Sequence, residues 1–268
     1  RTQTLKKNHI EKAKKLKIVS RHGVGYDNVD YQELKKRNIP LTIVGDVNST
    51  SVSEHTMMLI ISVFKKIILA DFSTRNSLWN YRNNYEPREL YGKNLLIIGF
   101  GRIGKKLGKL AKAFGMNIHV YDPYIQNKFD EYEIRHFQNL TTALCNADCI
   151  SLNLPKVDKP IITKENSQYL KHGVVIINTA RGELIEEKVL QDGIQEGIIS
   201  GVGLDVFDSE PVEKNHFLFK YKQVIFTPHQ AGLSQESAQR MSIKSINNIL
   251  DYYDGSLDSS LIVNGVKI

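Results

Sequence analysis

Cysteine is nearly missing from this chain of 268 residues, with only Cys145 and Cys149, both within ALCNADCISL. Their spacing is neither C-x-x-C nor half of a zinc site, which argues against a disulfide framework and a thiolate metal centre. Two thiols without a signal peptide point to a reducing, cytoplasmic setting, with both as small buried residues. No two histidines have metal-ligand spacing beside a carboxylate, so no metal is expected. Long apolar runs are also missing. A membrane span needs roughly 18 such residues, and the most apolar stretch, MMLIISVFKKIILA, is interrupted by Lys65 and Lys66 and reads as a buried helix. Acidic residues are outnumbered 29 to 36, for a net charge of +7. The lysines are scattered, however, with no basic and aromatic interleaving to suggest a nucleic-acid surface. An anionic cofactor and an anionic substrate would suit such a charge. The chain opens RTQTLKKNHI, without an initiator Met or an apolar strand ahead of its first helical pattern, as a fragment would.

What is present is the balance of a globular protein, 41% hydrophobic and 24% charged, without repeats or low-complexity segments. KLKIVS and LTIV read as short strands, each preceded by a Lys-rich helical segment, EKAKK and YQELKKRN. A helix is predicted from about Val52 to near Asp71, with the Ser and Thr residues before Glu54 as caps. NSLWNYRNNYEPRELYGK carries aromatics without a period and reads as an extended loop. From Asn94 the alternation is regular: NLLIIG, IGKKLGKLAKAFG, NIHVYD, DCISLNLP, KENSQYLKHG, VVIINTARG, EEKVLQDGIQEG, SGVGLDVF and QVIFTPH. Strands as apolar as VVIIN fit a parallel sheet covered on both faces, and the pattern is that of a doubly wound α/β fold. SQESAQRMSIKSINNILDYYDG closes the chain as a helix.

LLIIGFGRIGKK almost satisfies two phosphate-binding motifs. Gly99, Gly104 and Lys105 fit a P-loop, but Lys106 stands where that motif needs Ser or Thr to bind magnesium. Gly99, Gly101 and Gly104 complete G-x-G-x-x-G, in which the glycines serve a tight turn, approach of a pyrophosphate, and close packing of helix on strand. The helix N-terminus then faces the negative charge. Asp122 ends the next strand 18 residues beyond Gly104, where a carboxylate accepts from the ribose 2′-OH of NAD and repels the 2′-phosphate of NADP. Pro123 and Tyr124 follow it, with no adjacent cation, so NAD is preferred.

Three further sites stand at the ends of later strands, where a doubly wound sheet gathers its ligands. They are Arg181 in NTARGE, Asp205 and Glu210 in GLDVFDSEP, and His229 in TPHQAG. Singly, each has a plain reading as a surface Arg, a capping Asp, a turn Glu or a loop His. Of the other histidines, His55 is assigned to a helix interface and His22 to shaping its loop. His9, His119, His136, His172 and His216 show no partner pattern.

GFGRIG, VYDP, NTARGELI, GLDVFDSEP and TPHQAG, with SRHGVGYDNVD near the start and NSTSVSEHT before the long helix, resemble the D-isomer-specific 2-hydroxyacid dehydrogenases. The similarity is greatest to the branch of 3-phosphoglycerate dehydrogenase and hydroxypyruvate reductase, and it covers nearly the whole chain in the family's order. It implies a catalytic set of Arg181, Glu210 and His229. His229 would be the acid for the forming alkoxide, and the base in the oxidising direction. Glu210 would pair with it, and Arg181 would grip the substrate carboxylate. The implied NAD-binding set is Gly99, Gly101, Arg102, Ile103, Gly104, Asp122, Pro155, Thr179, Ala180 and Asp205, with Asp205 on the nicotinamide side. Arg1, Gly23, Val24 and Gly25, with Arg181, would bind a small anionic 2-oxo or 2-hydroxy acid between two domains whose closure excludes water.

Against the family's pattern, Asn153 stands where His is frequent, and the first strands of the substrate domain are absent. The expected organisation is a discontinuous, truncated substrate domain of residues 1–50 and 235–268 around a Rossmann-type NAD-binding domain of residues 51–234. The helix from Val52 would pack against a second subunit in a homodimer. Three functions stand at this point: an NAD-dependent oxidoreductase, a dinucleotide-sensing binding protein resembling a corepressor, and, weakest, a nucleic-acid binder. The retained Arg181, Glu210 and His229 favour the first.

Overall fold

The computed structural model describes residues 3–125 and 134–268, and the chain divides into two compact units. The smaller, Arg1–Ser51 with Gly232–Ile268, opens with α1 (Lys7–Lys12), β1 (Val19–Ser20), α2 (Tyr31–Lys36) and β2 (Leu41–Thr42). The two strands pair in parallel. The Asp30 carboxylate accepts from the Glu33 amide at 3.0 Å and starts α2. Ile10, Val29, Leu34, Ile39 and Leu41 form the core of this part. In the loop after β1, Gly23 has φ +145°, and the Arg21 guanidinium donates to the Gly25 carbonyl at 3.0 Å.

The larger unit, Val52–Ala231, begins inside α3 (Ser49–Lys65), which is followed by α4 (Ile67–Arg75). The single helix expected from Val52 to Asp71 is therefore two, and it starts three residues earlier. The break is at Lys66, whose backbone is left-handed (φ 53°, ψ 36°). Its ammonium donates to the Ser200 carbonyl at 3.2 Å. The apolar run hid this corner because its two halves are equally hydrophobic but differently placed: Leu59, Ile60 and Phe64 are buried, Ile67 and Ile68 exposed. The predicted loop beyond α4 contains a short 3₁₀ helix, Trp79–Asn84.

Seven parallel strands follow, with helices between them: β3 (Asn94–Ile98), α5 (Arg102–Ala113), β4 (Asn117–Tyr121), β5 (Arg135–Phe137), α6 (Leu140–Cys145), β6 (Cys149–Leu152), α7 (Lys164–Ser167), β7 (Val174–Asn178), α8 (Glu187–Gln195), β8 (Ile199–Leu204) and β9 (Val224–Phe226). Their order is β5-β4-β3-β6-β7-β8-β9, so the chain reverses its direction of winding between β3 and β6. Strand β5 escaped the sequence reading because it has three residues, begins with a charge, and lies at the sheet edge.

Period-two alternation divides each central strand between two cores. Leu96, Ile98, Val174 and Ile176 face one, with Val189, Leu190 and Ile194 of α8. Leu95, Ile97, Val175 and Ile177 face the other, with Leu107 and Ala111 of α5 and Leu59, Ile60, Val63 and Phe64 of α3. Both faces being covered is why these strands carry almost no polar residues. Helix α3 lies against β8 at glycines: a Cβ on Gly201 would sit 2.4 Å from Val63 Cγ1, and one on Gly203 would sit 3.2 Å from the Leu59 Cβ.

The chain then returns to the smaller unit with α9 (Gln235–Tyr253), capped by the Ser234 hydroxyl, which accepts from the Ser237 amide at 3.1 Å. Asn248 of this helix donates to the Ile43 carbonyl, and buried Asn264 bonds both the Leu41 amide and the Ile39 carbonyl. Among the described residues no helix is long and apolar enough to cross a membrane, and no three His, Cys, Asp or Glu are grouped to hold a metal ion.

His119 of β4 is buried, its Nδ1 without a partner and its ring 5.1 Å from that of Phe137. Burial, and next the charge of Arg135, hold its pKa below the ordinary value. The unfolded chain therefore binds more protons once the pH drops under about 6.5, and stability should fall as the medium is acidified from there. His119→Leu should flatten that decline in melting temperature; equal declines in both proteins would show that His119 does not contribute.

Candidate active site

Strand β3 delivers the chain into the glycine turn at the point where the winding reverses. Gly99 has φ +88°, and a Cβ there would lie 2.7 Å from the Asn153 carbonyl oxygen after β6. A Cβ on Gly104 would lie 2.4 Å from the Gly99 carbonyl oxygen, so α5 can press on the turn only through glycine. Gly101, at the N-cap of α5, differs: among the described residues, its chain neighbours aside, nothing lies within 4 Å of the place its Cβ would occupy. Two glycines are thus required by the protein itself, and the third leaves open space at a helix N-terminus that has no acidic residue in its first turn. That is the cradle a pyrophosphate needs. Arg102 and Ile103 begin α5, and Pro155 follows β6.

Asp122 follows β4. Its Oδ2 accepts from the Phe100 amide within the glycine turn at 2.8 Å, and its Oδ1 from the Tyr124 amide at 3.0 Å. Each carboxylate oxygen keeps a further lone pair for a ribose hydroxyl. The donor and acceptor set therefore fits a dinucleotide: open space for phosphate, a helix end, and a carboxylate fixed to the same turn.

The loops after β7, β8 and β9 carry the remaining residues expected at the site. After β7, the Asn178 side chain bonds the Ala180 amide and the Arg181 carbonyl, folding the turn that presents Arg181. The guanidinium donates to the Ala180 carbonyl at 2.6 Å. Thr179 is buried, its hydroxyl 2.8 Å from that of Thr56 on α3. Beyond β9, His229 is left-handed (φ 50°), and its Nδ1 lies 2.6 Å from Glu210 Oε2. Glu210 Oε1 accepts from the Phe207 amide at 3.1 Å. Burial alone would raise the pKa of Glu210, but the bond and charge of His229, the Phe207 amide and the charge of Arg181 outweigh it and hold Glu210 below its ordinary value. An ionised Glu210 accepts the Nδ1 proton, which sets the tautomer and leaves Nε2 for proton transfer.

Asp205, at the end of β8, has no exposed surface. Its Oδ1 accepts from the Thr227 hydroxyl at 2.6 Å and the Gln230 amide at 2.9 Å, and its Oδ2 from the Ala231 amide at 2.8 Å. What this carboxylate holds is the loop that carries His229. Thr227 escaped the sequence reading, as did its contact with His55, whose Nε2 lies 3.0 Å from the Thr227 hydroxyl. His55 meets this loop, where a helix interface was expected. Its pKa is lowered by burial, partly offset by the charge of Asp205. His216 also has an unforeseen partner in Glu187, at 3.2 Å. A signal for Thr227 was available in its place two residues before His229. His55 offered none, because its partner is 172 residues away. Gly23, Val24 and Gly25 are in the smaller unit, and Arg1 lies outside the described residues.

Residues 57–231 match the model of the family described as D-isomer specific 2-hydroxyacid dehydrogenase, NAD binding domain. The chain is 42% identical over 234 residues to a D-3-phosphoglycerate dehydrogenase of Methanocaldococcus jannaschii, covering 86% of this chain and 44% of that protein. It is 31% identical over 260 residues to a glyoxylate reductase of Korarchaeum cryptofilum, covering 94% of this chain and 78% of that one. It therefore spans less than half the length of the first relative and about four-fifths of the second. Among solved structures, a D-lactate dehydrogenase from Aquifex aeolicus, complexed with NAD and lactic acid, superposes with a TM-score of 0.86 at 27% identity, covering 98% of this chain and 85% of that one.

The glycines separate binding from folding. Gly101→Ala should leave the melting temperature unchanged and weaken NADH binding about tenfold or more, whereas Gly104→Ala should lower both. Fluorescence titration beside thermal melts checks this, and NADH affinity unchanged in Gly101→Ala would contradict the placement of the phosphates.

Proposed function

The chain belongs to the D-isomer-specific 2-hydroxyacid dehydrogenases, and from that premise we propose that it interconverts a small 2-hydroxy acid and its 2-oxo acid with NAD(H). The observation that carries the proposal is the 2.6 Å bond between His229 and Glu210 at the strand ends that also present Arg181. NAD(H), when bound, supplies or accepts the hydride at the substrate's C2. His229 gives a proton from Nε2 to the oxygen on that carbon during reduction, and takes one back during oxidation. Glu210 stabilises the imidazolium between these events, and Arg181 holds the substrate carboxylate through its planar fork. Gly99, Gly101 and Gly104, with Arg102 and Ile103, would seat the pyrophosphate. Asp122 would accept from the ribose and favour NAD over NADP, while Pro155, Thr179 and Ala180 would line the rest of the cofactor's path. Asp205 serves this site from beneath, through its hold on residues 227–231.

By the same resemblance, the unit Val52–Ala231 is the cofactor domain and the smaller unit the substrate domain, with Gly23, Val24 and Gly25 in contact with substrate. The proposed substrate is of the 3-phosphoglycerate or the hydroxypyruvate and glyoxylate type; 3-phosphoglycerate and glyoxylate are the acids named for the relatives. A homodimer through α3 and α4 is supported by exposed apolar side chains there: Met58, Ile67, Ile68 and Phe72. Cys149 is buried as expected, whereas Cys145, at the end of α6, is exposed; both thiols are free, which fits a cytoplasmic setting.

The test is NADH oxidation against hydroxypyruvate, glyoxylate, pyruvate and 3-phosphohydroxypyruvate. Turnover with one of them should fall about a hundredfold or more in His229→Ala while NADH binding persists. Binding without turnover in the unsubstituted protein would count against the enzyme. Sedimentation should give a dimer that Phe72→Asp dissociates; a monomer at the outset would remove the dimer from the proposal.

A further inference from the structure

Three successive turns of α3, and the Lys66 corner just beyond it, follow β8. Lys66 donates to the Ser200 carbonyl, Val63 lies over Gly201, and Leu59 lies over Gly203. At the far end His55 reaches, through Thr227, the carboxylate of Asp205 just past the strand. The first three contacts are those of any helix packed on a sheet. The fourth is polar and buried: the His55 side chain is 12% exposed and that of Asp205 has no exposure. A buried imidazole is costly unless its hydrogen bonds are used.

The proton count shows what the bond does. Thr227 has one hydroxyl proton, and at 2.6 Å it goes to Asp205 Oδ1. The Thr227 oxygen therefore accepts, and the His55 Nε2–H at 3.0 Å is its donor. That nitrogen is also 3.6 Å from Asp205 Oδ1, so the dipole of its N–H supports the buried charge. Asp205 in turn fixes the amides of Gln230 and Ala231, the two residues that follow His229. His229 itself occupies a left-handed conformation that non-glycine residues adopt only when their surroundings require it, and its amide bonds back to the Thr227 carbonyl at 3.0 Å.

We propose that His55 is a positioning residue: the chain His55–Thr227–Asp205 holds the loop of residues 227–231 so that the His229 imidazole stays directed at the reacting oxygen. The inference rests on the dehydrogenase reading for its effect on turnover, but the hold on the loop can be measured without activity. Burial keeps the His55 imidazole in its neutral form, as a donor through Nε2. The next residue, Thr56, receives the hydroxyl proton of Thr179 beside Arg181, since its own goes to the Val52 carbonyl at 2.7 Å. Neighbouring residues of α3 thus anchor the loops after β7 and β9.

The experiment uses the full chain with His55→Phe, His55→Gln, Thr227→Val, and the double variant His55→Phe/Thr227→Val. His55→Phe keeps the volume and removes the donor, while His55→Gln retains an N–H near the position of Nε2. In His55→Phe, kcat should fall about tenfold with the KM for NADH unchanged, and exchange of the Gln230 and Ala231 amide protons should quicken about tenfold. Thr227→Val should do the same, the double variant should lose no more than the worse single one, and His55→Gln should restore most of both measures. Wild-type exchange and turnover in a folded His55→Phe, no restoration by His55→Gln, or losses that multiply in the double variant would each overturn the proposal. If the unsubstituted protein reduces none of the oxo acids, the dehydrogenase reading fails, and amide exchange with its restoration by His55→Gln still decides the role of His55.

Discussion

All seven strands of the larger sheet run parallel, and this constraint governs where chemistry is possible. Parallel strands send every following loop out at one edge, so residues as far apart in sequence as Gly99, Asp122, Arg181, Asp205 and His229 leave the sheet on the same side. The reversal of winding between β3 and β6 opens the crevice into which the glycine turn projects. Covering both faces with helices is the complementary requirement, and it fills β6 and β7 with apolar side chains. Polar function is thereby confined to the strand ends, where the chain is free of the sheet's packing.

At those ends, charge is handled by fixed donors. Asp205 is a wholly buried carboxylate held by one hydroxyl and two backbone amides, and Asp122 is held by two more amides. Groups of this kind cost several kcal/mol to bury unless such donors are in place, so their loops are ordered by the same bonds that satisfy the charge. Glu210 and His229 differ from Asp205 in being partly exposed, with side-chain accessibilities of 30% and 41%. The Asp205 buttress is dry, and the groups that would exchange protons are reachable.

How much of this could be read from the chain depended on range. The strands of the larger sheet were legible wherever four or more apolar residues stood between turn signals, as in NLLII and VVIIN. The glycine turn was legible because its three positions are local and the acidic residue that confirms it ends the very next strand. The pairing of Glu210 with His229 came from a resemblance to known enzymes, since nothing in a separation of 19 positions dictates contact. The corner at Lys66 was invisible because burial, not composition, distinguishes the two sides of KK. His55, Thr56 and Thr227 were missed for the same reason at longer range: a Ser- and Thr-rich helix start looks like capping until the sheet brings a distant loop against it.

The corner at Lys66 has a mechanical consequence. Helix α3 is pinned along β8 at two points, by the ammonium of Lys66 just beyond its last residue on the Ser200 carbonyl and by the imidazole of His55 reaching Asp205 through Thr227. The eleven-residue advance from His55 to Lys66 spans about 16 Å of helix. A rod pinned at two points along a rail can neither slide on it nor spin about its own axis, and the missing Cβ atoms of Gly201 and Gly203 seat it flush against that rail. Helix and strand therefore move as a single beam. The Lys66 corner is thereby coupled mechanically to the two loops fastened at the beam's other end.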